Sequence, residues 1–285
     1  MTEHLLNLDA LPFGLVPLTP HIGGEITDLD LRKPLSDATL AGLRSALLDR
    51  KVLFFRDQDI TTEQHLAFAR RFGELEVHPF APHKPGYPQV LAITHDEKNP
   101  GRENTWHSDV TWRLEPSLGS ILRGIEMPPC GGDTLFADMG AAYDGLSDEV
   151  KTAIAGRNAL HDFAHFRVSM RRRGLSDAEI EAFNTKYPMV EHPVVRTHPE
   201  TGRKSLYVNA AFTQHIVGME KGESDALLKH LYAQAAIPEY QCRFHWRNHS
   251  IAFWDNRACQ HYAVSDYAPQ LRRVERVTVI GDRPY

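Results

Sequence analysis

Apolar runs in this chain are short, and Pro, Gly or charge ends each one almost as soon as it forms. Val52-Leu53-Phe54-Phe55 is bounded by Lys51 and Arg56, Val90–Thr94 follows Pro88, and Val277–Ile280 runs into Gly281. Ser120–Ile125 and Ile251–Asp255 have the same character. Runs this short, rich in Val, Ile and Phe, fit buried strands and cannot make a core helix. None approaches the ~20 apolar residues needed to span a bilayer. Leu15–Leu18, Gly24–Ile26, Thr134–Phe136 behind the Gly131-Gly132-Asp133 turn, and Tyr240–Trp246 extend the series. So does a hairpin, Val194–Val208, turning at Glu200-Thr201-Gly202. With no internal repeat and no linker, the pattern predicts a mainly β chain with flanking helices, a sandwich or jelly roll.

The helices are few. Ser36 opens one that carries Leu40, Leu43, Leu47 and Leu48 on one side. Thr61 and Gln64 spell a capping box for a second, with Leu66, Ala69 and Phe72 facing inward and Gly73 closing it. Met139–Ile154 reads as helix broken near Leu146-Ser147, and Ser224–Ala236 as amphipathic helix through Leu227, Leu228 and Leu231. His78–Pro88 is rich in Pro and Gly and reads as loop. Residues 164–190 are the most polar interval; with Ser176 and Glu179 as a capping pair they predict an insertion over the sheet, a mobile lid.

At 285 residues, 42% hydrophobic and 24% charged, the chain is expected to form a single domain over 1–285. A formal charge of −5 argues against nucleic acid as a partner. The one dense basic run, Arg171-Arg172-Arg173, reads as a solvated helix face. Cys130, Cys242 and Cys259 are widely separated, as free thiols in a reducing compartment are. The segment Met1–Leu6 lacks the basic and apolar regions of a signal peptide. A cytoplasmic location without a membrane partner is therefore expected.

The chemistry centres on Asn104-Thr105-Trp106-His107-Ser108-Asp109-Val110-Thr111. In extended backbone, residues two apart share a face, so His107 and Asp109 would offer an imidazole and a carboxylate to one point. A second His would complete a two-His, one-carboxylate facial triad, which leaves three cis positions open on Fe(II). The pattern is cheap by itself: His198-Pro199-Glu200 repeats it in what reads as the hairpin turn. The candidate partner is His261, which follows the strand ending in Trp254-Asp255-Asn256. Taken alone, His261 reads sooner as a hydrogen-bonded core or surface histidine than as a ligand. Further on, Arg272, Val274 and Arg276 share a strand face, which would turn two guanidinium groups inward. Buried cations need an anionic partner; an internal carboxylate such as Glu275 is the ordinary one.

Taken in order, His107-x-Asp109, Gly131-Gly132-Asp133-Thr134, Trp254-Asp255-Asn256-Arg257, Gln260-His261 and the Arg272/Arg276 pair resemble the taurine dioxygenase family. The resemblance runs from about Leu18 to Pro284, through Phe72-Gly73-Glu74-Leu75 and His192–Pro199. That family comprises Fe(II)- and 2-oxoglutarate-dependent oxygenases, alkylsulfatases and phenoxyacetate herbicide dioxygenases among them. The resemblance implies a double-stranded β-helix, the jelly-roll core, and a dioxygenase whose cofactors are Fe(II), 2-oxoglutarate and O2. His107, Asp109 and His261 would bind the metal. Arg272 would take the far carboxylate of 2-oxoglutarate, with the Thr134 hydroxyl adding a bond, and so supply the buried cation with its anion. Retention of Asp109 points to hydroxylation, since halogenating relatives lack that carboxylate.

His78, the backbone at Val110, and Arg276 match positions that hold a sulfonate, and Phe212 matches an apolar wall residue. The other end departs from the taurine pattern. Ala81 stands in place of a Tyr, and Glu103 in place of an Asn, which a one-residue shift to Asn104 would restore. Trp112 replaces a smaller aromatic, and a Phe position falls at Phe166 or Arg167. The expected partner is a small acidic organic substrate, taurine or a related alkanesulfonate, in sulfonate catabolism. A sulfate ester or an aryloxyalkanoate is the alternative, and a homo-oligomer is expected. Two other classes would share the anion site: a cupin-like metal enzyme without 2-oxoglutarate, and a non-catalytic anion binder.

Overall fold

The computed structural model describes residues 11–101 and 103–285. The short runs become two sheets packed face to face. The larger has eight strands in the order Gly14–Pro17, Gly24–Thr27, Val52–Phe55, Ile251–Asp255, Ser117–Glu126, Arg272–Ile280, Tyr87–His95 and His83–Lys84. The smaller has Thr134–Asp138 between Gln241–Phe244 and Cys259–Ala263. Side chains alternate between faces, and this sorts the apolar residues. Val52, Phe54, Ala252 and Trp254 turn toward Phe136, Cys242, Phe244 and Cys259 of the smaller sheet. Leu53, Phe55, Ile251 and Phe253 turn the other way, onto Leu43 and Leu47 of helix Asp37–Arg50 and Leu66 and Phe68 of helix Thr62–Arg70. The result is the expected jelly roll with helices on its outer face.

The helix signals act as read. Ser36 accepts the Thr39 N–H, Thr61 and Gln64 form a reciprocal capping box, and Ser147 starts Asp148–Ile154 anew after Met139–Asp144. The polar interval folds into two helices, Ala164–Arg172 and Asp177–Lys186, the second opened by the Ser176/Glu179 box. Met170 and Ile180 of these helices are buried against Phe80, Trp112, Phe163 and Phe212. The interval is thus docked on an aromatic floor. Arg171 stays exposed and pairs with Asp177.

Three features differ from the sequence reading. The His78–Pro88 stretch is not all loop: His83–Lys84 forms an edge strand against Tyr87–His95, and Pro88 is tolerated because it lies at that strand's start. Thr213–Ile216, Asn158–His161 and Val190–Pro193 form a separate three-stranded sheet. Their polar, His-containing sequences show no period-two apolar pattern. Cys259–Ala263 is a strand as well, and it carries His261. Among the described residues, no helix is long and apolar enough to cross a membrane.

Candidate active site

His107 and His261 meet as an isolated antiparallel bridge: His107 N donates to His261 O at 3.1 Å, and His261 N to His107 O at 2.8 Å. This backbone pairing brings the two ring centroids to 4.1 Å. Each Nε2 lies 3.9 Å from Asp109 Oδ1. One ligand atom from each of the three residues lies within 4.8 Å of the others, a spacing that fits one small cation. His107 Nδ1 sits 2.7 Å from Thr105 O, so Nδ1 carries the proton and the Nε2 lone pair faces the centre. Burial holds the His261 pKa well below its ordinary value, with neighbouring His107 adding to the effect, so that imidazole is neutral and able to ligate. Burial pushes the Asp109 carboxyl upward, but the Arg276 guanidinium, the two imidazoles and the Ser120 hydroxyl outweigh it and keep the group ionised.

Arg272 points into the interior, with its Cζ 6.0 Å from the Trp246 ring and 5.9 Å from the Tyr267 ring. It makes no ion pair among the described residues, and its buried Nε has no hydrogen-bond partner. Burial lowers its pKa from the usual guanidinium value, while Tyr267 and Glu103 act on it only through space. Glu275, the ordinary candidate partner, faces the other way and pairs with Arg123 and Lys84. A buried, unneutralised guanidinium fits a carboxylate-bearing ligand. Thr134 Oγ1 accepts the Trp246 indole N–H at 2.9 Å, which leaves its own hydroxyl proton free to donate beside the same indole. The residues read from the sequence for 2-oxoglutarate therefore flank one aromatic ring.

Arg276 Nη1 donates to Asp109 Oδ1 at 2.6 Å, the same oxygen that faces both imidazoles. His78 is buried, and its Nδ1 accepts the N–H groups of Phe80 at 3.3 Å and Ala81 at 3.1 Å. Its proton must then sit on Nε2. Burial, aided by Arg276 and Arg113, lowers the His78 pKa to about 3, so it is a neutral donor. Val110 adopts φ 50°, rare for a β-branched residue, and its N–H has no acceptor among the described residues. Phe212 stands edge-on to His107, with centroids 6.3 Å apart.

The departures from the taurine pattern separate clearly. Phe166, not Arg167, joins the aromatic cluster: its ring stacks on Phe212 at 6.2 Å and meets His78 at 5.9 Å. Arg167 is paired with Asp162. Trp112 is buried and stacks on Phe80 at 5.2 Å. Glu103 lies away from this cluster, with Oε2 3.4 Å from His95 Nε2. His198 is what the turn reading expects: its Nδ1 accepts from Glu200 N and Thr201 N, and its Nε2 faces Asp255 Oδ2 at 3.1 Å. The sequence reading missed Trp246 and Tyr267 around Arg272, and Ser120 and Asn256 behind Asp109. The signal for Ser120 and Asn256 was a polar residue on, or just past, a strand that is otherwise buried.

The family model for the taurine catabolism dioxygenase TauD, TfdA family matches residues 15–278. An alkylsulfatase of Acinetobacter baylyi is 37% identical over 271 residues, 93% of this chain and 84% of that protein. An alpha-ketoglutarate-dependent sulfate ester dioxygenase of Pseudomonas putida is 35% identical, over 99% of this chain and 92% of that one. A solved taurine dioxygenase of Burkholderia xenovorans superposes with a TM-score of 0.81 at 39% identity, covering 95% of this chain and 90% of that one. AAD-2, solved in complex with Mn(II) and N-oxalylglycine, superposes with a TM-score of 0.81 at 34% identity, covering 96% and 99%.

Proposed function

Because the chain belongs to the taurine catabolism dioxygenase TauD, TfdA family and is an alpha-ketoglutarate-dependent dioxygenase, we propose that it hydroxylates a sulfonate or sulfate ester with an apolar tail. In this reading His107, Asp109 and His261 hold Fe(II), and Arg272 with Thr134 holds the far carboxylate of 2-oxoglutarate. The bound metal and cosubstrate supply oxygen activation coupled to oxidative decarboxylation, yielding succinate and carbon dioxide. The chain's own task is to place one C–H bond beside the metal and keep water away from it.

The observation that carries the substrate reading is the pairing of Arg276 and the neutral His78 beside the triad, with an aromatic wall beyond them. Arg276, His78 Nε2–H and the Val110 N–H suit the oxygens of one anionic head group. In this reading the tail lies toward Phe166 and Phe212, backed by the buried Phe80 and Trp112, and Ala81 offers no hydroxyl where the taurine pattern has a tyrosine. An ammonium there would lose a hydrogen bond of about 1–3 kcal/mol, which weighs against taurine itself and for an alkyl chain.

Hydroxylation of the carbon that bears a sulfonate gives an unstable adduct, which breaks its C–S bond to an aldehyde and sulfite. The same step on a sulfate ester breaks C–O and releases an aldehyde and sulfate. Purified protein with Fe(II), ascorbate and 2-oxoglutarate should therefore form succinate in step with sulfite or sulfate. The panel is taurine, alkanesulfonates, alkyl sulfates and a phenoxyalkanoate. Turnover of the phenoxyalkanoate alone would overturn the head-group assignment; no succinate with any of them would overturn the reading as a whole.

A further inference from the structure

We propose that Ser120 and Asn256 are positioning residues that tie down one oxygen of Asp109 and so restrict it to a single-oxygen contact with the metal. The inference rests on the metal reading given above. The two oxygens of Asp109 have separate partners. Oδ1 faces the imidazoles, each Nε2 at 3.9 Å, whereas Oδ2 accepts from Ser120 Oγ at 2.7 Å and from Asn256 Nδ2 at 3.3 Å.

The orientation of the Asn256 amide is dictated by its neighbours. Its Oδ1 accepts from the Trp254 indole N–H at 3.0 Å and from the Asp109 backbone N–H at 3.1 Å, and both groups can only donate. The NH2 end must then face the carboxylate, and it also donates to Ser117 Oγ at 2.9 Å. Asn256 therefore grips Asp109 twice, through the main chain and through Oδ2. Ser120, Asn256, Ser117 and Trp254 are all buried, so water does not compete for these bonds.

The support is rigid. Ser117 and Ser120 belong to strand Ser117–Glu126, and Asn256 follows its hydrogen-bonded neighbour Ile251–Asp255, with Asn256 N donating to Leu118 O at 2.9 Å. The turn bearing Asp109 is thereby referenced to the large sheet, while His107 and His261 are fixed by their own backbone bridge. A carboxylate binding through both oxygens would take one more position at the metal. A facial triad must leave three open, two for the keto acid and one for oxygen. Engaging Oδ2 keeps the count at three.

The test is metal binding by the full chain, with neither cosubstrate nor substrate. Mn(II) titration followed by the EPR signal of the free ion should give a Kd about 10–100-fold higher for Ser120→Ala than for the wild type. Thermal unfolding of metal-free Ser120→Ala should stay cooperative, with Tm lowered only as the loss of one buried hydrogen bond to a charged group requires. Ser117→Ala, which loosens Asn256 and removes the Ser117 hydroxyl's bond to Asp109 O at 3.3 Å while leaving both bonds to Oδ2 in place, should give a smaller, several-fold rise. With Oδ2 held in Ser120→Ala only by the longer bond from Asn256, the visible absorption of the Co(II)-loaded protein should change as the coordination number rises. A folded Ser120→Ala with Mn(II) affinity within twofold of wild type and an unchanged Co(II) spectrum would overturn the proposal. If Ser120→Ala does not fold, Mn(II) affinity within twofold for Ser117→Ala would do so. Failure of the wild-type chain to bind Mn(II) would instead overturn the metal reading itself, and this inference with it.

Discussion

Replacing Arg272 with Met separates a ligand-binding guanidinium from a structural one. In most folds a buried arginine has a carboxylate partner, and breaking such a pair costs about 3–5 kcal/mol. Here no ion pair reaches Arg272 among the described residues, its Nε is unsatisfied, and burial already lowers its pKa. Met is close in length and leaves the contacts with Trp246 and Tyr267 largely apolar. The metal-free protein should therefore lose nothing and gain on the order of 1 kcal/mol, about 2–4 °C in Tm. Binding should respond in the opposite direction. A charge-assisted pair is worth about 1.5–3 kcal/mol per hydrogen bond, so losing a bidentate contact should cost about 3 kcal/mol. At about 1.4 kcal/mol per tenfold, the Kd for 2-oxoglutarate rises about 100-fold. Thermal unfolding of the apo protein and cosubstrate titration of the metal-loaded protein measure the two quantities separately. A drop in Tm of several degrees with unchanged 2-oxoglutarate affinity would refute the reasoning, because it would make Arg272 a fold residue.

Other expectations concern the same site. His107→Ala should lose both Mn(II) binding and succinate formation, and retention of more than about a tenth of the activity would count against the triad. Arg276→Ala should raise KM for the prime substrate at least about tenfold more than KM for 2-oxoglutarate if its guanidinium holds the head group as proposed; equal effects would contradict the division between Arg272 and Arg276. His65, His78 and His192 have pKa values lowered by burial to about 3, about 3 and about 4, against 6.5 when exposed. Below pH 6.5 the unfolded chain binds protons that the fold refuses, so stability is full above that pH and declines toward pH 4. Each group contributes a slope of up to about 1.4 kcal/mol per pH unit. Denaturant midpoints that stay level from pH 7 to pH 5 would show that these imidazoles are not buried neutral.

Much of this was legible because the signals were local or strongly periodic. Val52–Phe55 is bounded by charges, Thr61 and Gln64 spell a box, and Leu146-Ser147 interrupts a helix; each needs only its own neighbours to act. His107-x-Asp109 was visible as two residues, but its union with His261 depends on a strand, Cys259–Ala263, whose alternation is masked by Gln260 and Tyr262. The small sheet of Asn158–His161, Val190–Pro193 and Thr213–Ile216 escaped for a related reason: buried histidines such as His161 and His192 stand where apolar residues would mark the inner face. Glu103 illustrates a different limit. Position in the chain suggested the substrate pocket, whereas the loop turns its carboxylate toward His95.

The aromatic wall has an origin apart from the rest of the site. The two histidines and Asp109 are referenced to the sheets, but Phe166, Met170 and Ile180 come from the two-helix interval between them, which contributes no ligand to the triad. Lengthening that interval, shortening it or exchanging its inward side chains would reshape the far end of the cavity and leave the metal-facing bonds intact. A scaffold divided in this way can acquire new preferences by altering one detachable panel, while the reactive centre is inherited unaltered.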